Sequence, residues 1–279
     1  MAEPVEASAE CETAVCGTAK ESCAGVDVVL VALAGLLLGA LLNLVIIRLP
    51  REQGLGGWPR CTRCGQRLRW WQIIPLFGWL LQGGRARCCG RRLDALYPLV
   101  DLVTVATLVL LYLQHRLSIS MVYSAAVAAV LIVTGAIDWQ HRLIYTLPTL
   151  GATLAVVLVA FSVPFHSLLN ALAGVFAAGV LFVIFYLLAR LLFPAHRAPF
   201  GLGDVYLGMF IGAALGLTNL PGALLYGMLL AGVFSAILVA RRRLGRRDVP
   251  QYISYGTFLC IGALIYLLMW GLAGPRPLL

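Results

Sequence analysis

The chain has 279 residues, of which 61% are hydrophobic and only 12% are charged. Soluble domains carry about 25% charged residues, so this composition excludes an ordinary soluble domain. The formal net charge is +9, and basic chains attract nucleic acid or anionic lipid. Because the hydrophobic residues occur in long runs, we interpret the charge as a signal of membrane topology and lipid attraction. We predict no nucleic-acid partner.

The first segment, residues 1–25, is acidic and carries three loosely spaced cysteines. A cleaved signal peptide begins with basic residues, and the apolar run that follows here is too long for a signal core. We therefore expect residues 1–25 to form a mostly disordered external tail without a metal site. Residues 26–47 are expected to form the first transmembrane helix, because a bilayer core needs about 20 apolar residues.

Residues 48–97 are expected to form one cytoplasmic insertion. Cys61 and Cys64 form a C-x-x-C pair within it, and the adjacent Cys88 and Cys89 follow. Tetrahedral zinc takes four such ligands from two tight turns, whereas structural disulfides are rare in the cytosol. The pattern favours a structural zinc ribbon held by these four residues. The alternatives are that the cysteines pack a small core, or that the C-x-x-C pair performs redox chemistry.

Residues 98–279 contain seven more apolar runs and are expected to form a seven-helix membrane domain. The eight predicted spans are residues 26–47, 98–114, 119–137, 143–163, 167–192, 204–219, 222–240 and 253–271. With the N-terminus outside, only Lys20, Arg116 and Arg276 of the 21 basic residues lie on the outer side. This asymmetry is the positive-inside signal. The sequence thus predicts an all-α polytopic membrane protein with about eight transmembrane helices.

Four acidic residues follow Asp94 in the chain, and charges inside membrane spans are costly. Asp248 lies in an arginine-rich loop, where we expect it to be solvated. Asp101 lies about one turn into the second predicted span. There a carboxylate can favour the helix N-terminus, pair with an arginine of the insertion, or take a direct part in a site.

Asp138 and Asp204 end and begin two non-adjacent spans on the cytoplasmic side, so both lie at the same membrane depth. Two carboxylates held close share a proton, and such a pair can act as base and acid in peptide hydrolysis. Gly201 and Gly203 precede Asp204, where glycine permits unusual backbone angles and close approach of a substrate strand. The alternative is that one aspartate caps a helix and the other pairs with a nearby arginine.

Four further segments stand out in chain order. They are GALLNLVIIRLP at Gly39–Pro50, the C-x-x-C segment Arg60–Leu80, LYPLVD at Leu96–Asp101, and GLGD, a GxGD core, at Gly201–Asp204. In this order they resemble motifs of the prepilin (type IV leader) peptidase family. Asp138 is placed like the first catalytic aspartate of that family. The resemblance covers most of the chain and implies an intramembrane aspartic peptidase with eight helices.

The resemblance also implies roles and partners. Asp138 and Asp204 would be catalytic, and we assign substrate contacts to Gly201, Gly203 and Asp101. The implied reaction is removal of the leader from type IV prepilin-like or pseudopilin substrates at the inner membrane. N-methylation of the new N-terminus with S-adenosylmethionine would follow.

Two positions depart from the family pattern. Tyr206 stands where the family usually has lysine, and Ala86 stands where the second cysteine pair begins. One alternative function is a non-catalytic pilin-assembly relative. The other is a proton-coupled transporter with Asp138 and Asp204 as its relay. Transporters place coupling acids near the bilayer midplane and show internal repeats, which this sequence does not.

Overall fold

The described residues fold mainly into α-helices, with one long insertion between Arg48 and Leu96. The computed structural model describes residues 7–54, 56–58, 60–61, 64–69, 76–160, 162, 167–192, 201–244 and 254–272. The helices are α1 (Ala7–Arg48), α2 (Phe77–Leu81), α3 (Leu96–His115), α4 (Ile119–His141), α5 (Thr146–Ala160), α6 (Leu168–Leu192), α7 (Leu202–Leu215), α8 (Leu220–Arg243) and α9 (Tyr255–Leu272). The described residues contain no strand, only two isolated bridges. The predicted all-α membrane fold is confirmed.

Five helical stretches are long and apolar enough to cross a membrane. They are Val26–Arg51, Leu96–His115, Ile119–His141, Leu168–Leu192 and Leu220–Arg243. The helices α5, α7 and α9 also contain apolar stretches, but these are shorter. The chain is therefore a polytopic membrane protein, and the count of eight spans stays a prediction.

The first helix begins at Ala7, inside the segment that we expected to be a disordered tail. Residues 7–25 are rich in alanine and glutamate, which favour helix. A helix already formed by the apolar run can extend through such residues, because propagation costs less than nucleation. The external position of the tail stays a prediction.

Asp27 was not among the predicted site residues. It lies at the start of the first span, which is the end remote from the insertion. The Tyr112 hydroxyl donates a hydrogen bond to Asp27 Oδ2 at 3.1 Å. The Arg116 guanidinium lies 5.5 Å from the centre of the Tyr112 ring, a cation–π distance. These contacts join α1 to α3 at the face opposite the insertion.

The main core is formed by α4, α6, α7, α8 and α9. Its fully buried side chains include Leu131 of α4, Leu207 and Phe210 of α7, and Leu259 of α9. Between membrane helices such association rests on close van der Waals packing. The core therefore holds together the ends of α4, α7 and α9 that carry the candidate site.

Glycines set the closest helix contacts. A Cβ on Gly174 of α6 would overlap the Gly212 backbone of α7, and a Cβ on Gly212 would overlap Gly174. Gly227 of α8 and Gly262 of α9 form a second such pair. Small residues let membrane helices approach until their backbones touch. The position of α7 is thereby fixed against α6.

Candidate active site

Asp138 lies in the last turn of α4 and is only 5% exposed. Its Oδ2 atom accepts a hydrogen bond from the Thr257 backbone N–H at 2.7 Å, and the Thr257 hydroxyl oxygen lies 3.0 Å away. Arg142 ends α4 in a left-handed conformation, with φ 54°. Its N–H donates to the Asp138 carbonyl at 2.8 Å. The first turn of α9 thus holds the Asp138 carboxylate.

Asp204 lies in the first turn of α7 and is partly exposed. Its Oδ2 atom accepts from the Gly201 N–H at 3.1 Å, and its own N–H donates to the Gly201 carbonyl at 3.1 Å. This reciprocal pair satisfies two N–H groups at the helix start. Asp204 therefore caps the start of α7, the role that we considered as the alternative to catalysis. The capping hydrogen bonds hold its carboxylate at this end of the bundle.

The structure brings Asp138 and Asp204 together. Their carboxylates are close enough to interact electrostatically, and Cys260 of α9 lies within reach of both. The Ile144 side chain packs against the backbones of Gly203 on α7 and Gly256 on α9. A Cβ on Gly203 would lie 2.8 Å from Ile144 Cβ, and a Cβ on Gly256 would lie 2.9 Å from Ile144 Cδ1. Two predicted site residues from distant parts of the chain therefore share one location.

We had expected Gly201 and Gly203 to adopt backbone angles that other residues avoid, and this prediction was wrong. Gly201 has φ −94° and ψ 153°, an extended conformation open to any residue. Gly203 lies inside α7 and is not among the glycines with positive φ. Helix geometry rather than a strained turn defines this junction, and Gly203 serves close packing on Ile144. Contact of Gly201 or Gly203 with substrate stays a prediction.

Asp101 belongs to a different location. It is 3% exposed, and its Oδ1 accepts from Asn43 Nδ2 of α1 at 2.9 Å. Its Oδ2 accepts from the Leu76 N–H of the insertion at 2.8 Å. A Cβ on Gly39 would lie 2.7 Å from Oδ1, so glycine makes the space for this carboxylate. In the described part of the chain its partners are an amide and a backbone N–H instead of an arginine.

A cavity of about 1020 Å³ lies between α1, α3 and the insertion. Its lining includes Asn43, Trp79, Tyr97 and Asp101. Two buried polar atoms of this lining, Asn43 Oδ1 and Trp79 Nε1, have no hydrogen-bond partner among the described residues. Buried polar atoms are normally satisfied, so this cavity has the features of a ligand site.

Arg48 organises the loop that closes one side of the cavity. Its guanidinium donates to the carbonyls of Gly54 at 3.1 Å, Gly56 at 2.7 Å and Gly57 at 2.7 Å. Arg48 itself is 7% exposed. A buried cation is stable when hydrogen bonds replace its water, and three carbonyls do so here. The start of the insertion is therefore held by the last residue of α1.

The turn that begins at Cys61 and the turn that begins at Ala86 form the same two backbone hydrogen bonds. The Cys61 N–H donates to Gln66 O at 2.8 Å, and the Gly65 N–H donates to Cys61 O at 3.0 Å. In the second turn the Ala86 N–H donates to Arg91 O at 2.8 Å, and the Gly90 N–H donates to Ala86 O at 2.7 Å. Ala86 thus occupies the position that Cys61 occupies in the first turn.

The sulfur atoms of Cys61, Cys64, Cys88 and Cys89 all lie within 4.8 Å of one another. Cys88 Sγ is 3.3 Å from Cys64 Sγ, so Cys88 supplies the sulfur that Ala86 lacks. The hydrogen bond with Cys64, followed by burial and contacts with Cys61 and Cys89, raises the pKa of Cys88 to about 12. A bound divalent cation would offset this cost of a thiolate. The donor set fits tetrahedral zinc.

The comparisons with known proteins divide the chain in two. Residues 33–115 match the family model of the bacterial peptidase A24 N-terminal domain, and residues 125–236 match that of the type IV leader peptidase family. A prepilin leader peptidase/N-methyltransferase of Klebsiella pneumoniae is 34% identical, over 69% of this chain and 87% of the relative. The chain belongs to the type IV leader peptidase family.

Two further relatives carry the same name, prepilin leader peptidase/N-methyltransferase. The one from Myxococcus xanthus (strain DK1622) is 32% identical over 76% of this chain and 64% of its own length. The one from Dickeya chrysanthemi is 29% identical over 87% of this chain and 92% of its own length. No solved structure matches the chain.

In this member of the type IV leader peptidase family, the peptidase match contains both candidate aspartates. The N-terminal match contains the four cysteines of the insertion. Sequence reasoning missed Gly256 and Thr257, which lie beyond the peptidase match. The available signal was a glycine and a threonine beside each other at the start of the last span. Only the fold shows that this turn contacts Asp138.

Proposed function

We propose that this chain is an intramembrane aspartic endopeptidase that removes the leader from prepilin-like or pseudopilin substrates. The observation that carries the proposal is the meeting of Asp138 and Asp204 at one end of the helix bundle. The relatives are named for leader cleavage and N-methylation, and this chain shares their family. We propose that it also methylates the new N-terminus.

The aspartate pair can hydrolyse a peptide bond with one proton shared between its carboxyl groups. One carboxylate takes a proton from water as the water oxygen bonds to the scissile carbonyl carbon. The other carboxyl group gives its proton to the carbonyl oxygen, which yields a neutral diol. The diol then loses a hydroxyl proton to the carboxylate that acted as the acid, while the carboxyl group that acted as the base gives its proton to the amide nitrogen and the C–N bond breaks. The products are the leader's carboxyl group and a free amine.

The surroundings suit this chemistry. Asp138 is buried, and the apolar side chain of Ile144 packs against Gly256 beside it. Low polarity strengthens electrostatic interactions inside the site. The helix N-termini of α7 and α9 direct N–H groups at the two carboxylates, so backbone donors stabilise a charge on the pair.

The large cavity beside the insertion is the proposed site for methylation. S-adenosylmethionine supplies the methyl group when bound. Trp79 Nε1 can donate to an adenine acceptor and Asn43 Oδ1 can accept from an amine, because both atoms are buried and have no partner in the part of the insertion and helices that the structure describes. Asp101 is an acidic member of the lining and can stabilise positive charge on the cofactor. The residues present therefore fit this cofactor.

Zinc is proposed to hold the insertion through Cys61, Cys64, Cys88 and Cys89. A metal that joins two tight turns provides much of the folding free energy of a small module. Cys64 and Cys89 are exposed, which argues against cysteines that only pack a core. The metal would therefore shape one wall of the cavity, since Cys61 and Ala86 both line it.

The chain is a multi-pass inner-membrane protein, and we propose that the insertion is cytoplasmic and the N-terminus external. The distribution of lysine and arginine supports this orientation. The same arginines would attract the anionic lipids of the cytoplasmic leaflet. The aspartate pair then faces the cytoplasm, where the leader of a newly made substrate is accessible.

The two alternative functions are less well supported. A transporter would place its coupling acids near the bilayer midplane, whereas both aspartates lie at one end of the bundle. A non-catalytic assembly factor would not need a carboxylate pair with ordered hydrogen-bond donors. Mass spectrometry of a co-expressed prepilin-like substrate separates the peptidase from both alternatives. We expect a shortened and methylated product, whereas an unchanged substrate would reject the proposed function.

A further inference from the structure

The first turn of α9 contacts the aspartate pair from outside the matched family region. The Thr257 N–H donates to Asp138 Oδ2 at 2.7 Å, and the Thr257 hydroxyl oxygen lies 3.0 Å from the same atom. Thr257 and Asp138 are 6% and 5% exposed. We propose that Thr257 is a positioning residue that makes Asp138 the general base and Asp204 the general acid. This inference rests on the proposed peptidase function.

The two donors act on one oxygen of the carboxylate. Both meet Oδ2, and the described residues make no hydrogen bond to Oδ1. Fixing Oδ2 sets the direction of Oδ1, which remains available to a water molecule. A general base needs this arrangement, because its accepting oxygen must be within hydrogen-bond reach of the proton that it removes.

The Thr257 hydroxyl can follow the charge of Asp138. Its oxygen also lies 3.1 Å from the Gly135 carbonyl, and a hydroxyl carries one hydrogen. It donates to the carboxylate when Asp138 is charged. When Asp138 takes a proton from water, the hydroxyl can turn its hydrogen to Gly135. No buried polar group is then left without a partner at either stage.

The donors differ between the two aspartates. Thr257 is in the N-terminal turn of α9, whose free N–H groups favour negative charge. Hydrogen bonds to a charged carboxylate favour that form. Asp138 has an N–H and a hydroxyl at 2.7 and 3.0 Å, whereas Asp204 has the Gly201 N–H at 3.1 Å. The shared proton therefore belongs on Asp204.

Other charged groups face Asp138. Arg142 at the end of α4 and Asp204 on α7 both lie within electrostatic reach of it. Cys260 on α9 lies within electrostatic reach of both aspartates, and Tyr255 lies within reach of Asp204. All of these groups stay in place when only the Thr257 hydroxyl is removed. A changed pH dependence then reports on that hydroxyl.

Gly256 explains how α9 comes close enough. A Cβ at this position would lie 3.0 Å from Asp138 Oδ2 and 2.9 Å from Ile144 Cδ1. Any larger residue would press on the carboxylate that its neighbour Thr257 holds. The pair Gly256 and Thr257 therefore acts as one unit, in which glycine allows the approach and threonine supplies the donors.

The test compares the pH dependence of leader cleavage for the purified wild type, Thr257→Val and Thr257→Ser. Valine keeps the shape and the backbone N–H but removes the hydroxyl. We expect kcat/KM at neutral pH to fall about tenfold, as for loss of a hydrogen bond to a charged group. The acidic limb of the profile should move to higher pH while the basic limb stays. Serine, which keeps the hydroxyl, should restore the wild-type profile.

Thr153→Val is the matched control. Thr153 is 7% exposed, and its hydroxyl donates to the Thr149 carbonyl of its own helix at 2.8 Å. Its substitution should leave both limbs unchanged. If Thr257→Val is not recovered folded, Thr257→Ala compared with Thr257→Ser tests the same hydroxyl. An unchanged acidic limb, a moved basic limb or a failed rescue by serine would overturn the inference. Absence of cleavage by the wild type would instead reject the proposed function.

Discussion

The aspartate pair and the cysteine insertion are built in opposite ways. Asp138 and Asp204 are far apart in the chain and depend on the packing of α4, α7 and α9. The four insertion cysteines lie on two local turns with their own hydrogen bonds. A site assembled from distant helices is sensitive to small shifts of any helix. A site assembled from local turns depends mainly on its metal.

The link between these two regions is slight in the described residues. Gln140 lies with Asp138 in the last turn of α4. Its Nε2 atom donates a hydrogen bond to Asp94 Oδ2 of the insertion at 3.0 Å. Both side chains are solvent-accessible, and such contacts contribute little to stability. We therefore expect changes in the insertion to affect cleavage less than changes at the aspartate pair.

The largest effect is expected from neutralising either aspartate. Asp138→Asn and Asp204→Asn should each reduce leader cleavage by about a thousandfold or more, because each removes the acid or the base. The assay is leader removal by purified protein from a prepilin-like substrate. Asp94→Asn, at an exposed acid outside the pair, is the control and should keep wild-type activity. Substantial cleavage by either pair variant would contradict the proposed dyad.

Gly203→Val should reduce cleavage by about a hundredfold. Its Cβ would lie 2.8 Å from Ile144 Cβ, so α7 must shift and Asp204 must move with it. Small misplacements of catalytic groups have effects of about this size. Gly232→Val is matched to it, because a Cβ on Gly232 meets nothing within 4 Å. Equal activity of both variants at matched membrane levels would show that this contact does not position Asp204.

Removing two of the proposed zinc ligands should affect cleavage less than Gly203→Val does. In the double variant Cys61→Ser, Cys64→Ser we expect zinc to be lost, methylation to be abolished and cleavage to stay within about tenfold of wild type. Elemental analysis and mass spectrometry of the substrate measure all three. A loss of cleavage larger than that of Gly203→Val would show that the insertion helps to build the peptidase site.

Asp101→Ala should reduce methylation by about tenfold or more and change cleavage only slightly. The substitution leaves the Leu76 N–H and the Asn43 amide without their carboxylate partner, which disturbs the cavity more than the pair. Methylation is measured on a substrate that has already been cut. If cleavage stops while methylation continues, Asp101 belongs functionally to the peptidase half.

The smallest effect on cleavage is expected from Cys88→Ser, which tests the second cysteine turn alone. Zinc content should fall because one of the four sulfurs is removed. Adding Ala86→Cys in that background should restore zinc, since Ala86 occupies the position of Cys61 in the equivalent turn. Full zinc content in Cys88→Ser, or no restoration by Ala86→Cys, would show that Cys88 is not the replacement ligand.

Rare acids in an apolar sequence made much of the site predictable. Asp138 and Asp204 stand out because charges are uncommon in membrane spans, and topology placed both at one face. Thr257 and Gly256 could not be found in this way, because threonine and glycine are ordinary in membrane helices. Their role depends on how α9 packs against α4, and no local pattern in the sequence encodes that contact.

Other features of the fold depended on long-range contacts in the same way. The lengths of the apolar runs predicted the transmembrane helices, but the partners of Asp101 come from α1 and the insertion. Asp27 was missed because it lies within an apolar run whose length dominated the interpretation. The proposal that Cys88 serves in place of a cysteine at position 86 needed the hydrogen bonds of both turns and the positions of the sulfur atoms, which sequence spacing does not give.

The contact between Gly174 and Gly212 determines the position of Asp204. Because the two backbones touch, α7 can seat on α6 in only one register, and sliding it by one residue would place a side chain in the contact. Such a slip would also move α7 by about 1.5 Å and rotate it by about 100°. The carboxylate of Asp204 would then turn away from Asp138. A glycine pair with no chemistry of its own therefore sets both the depth and the direction of a proposed catalytic acid.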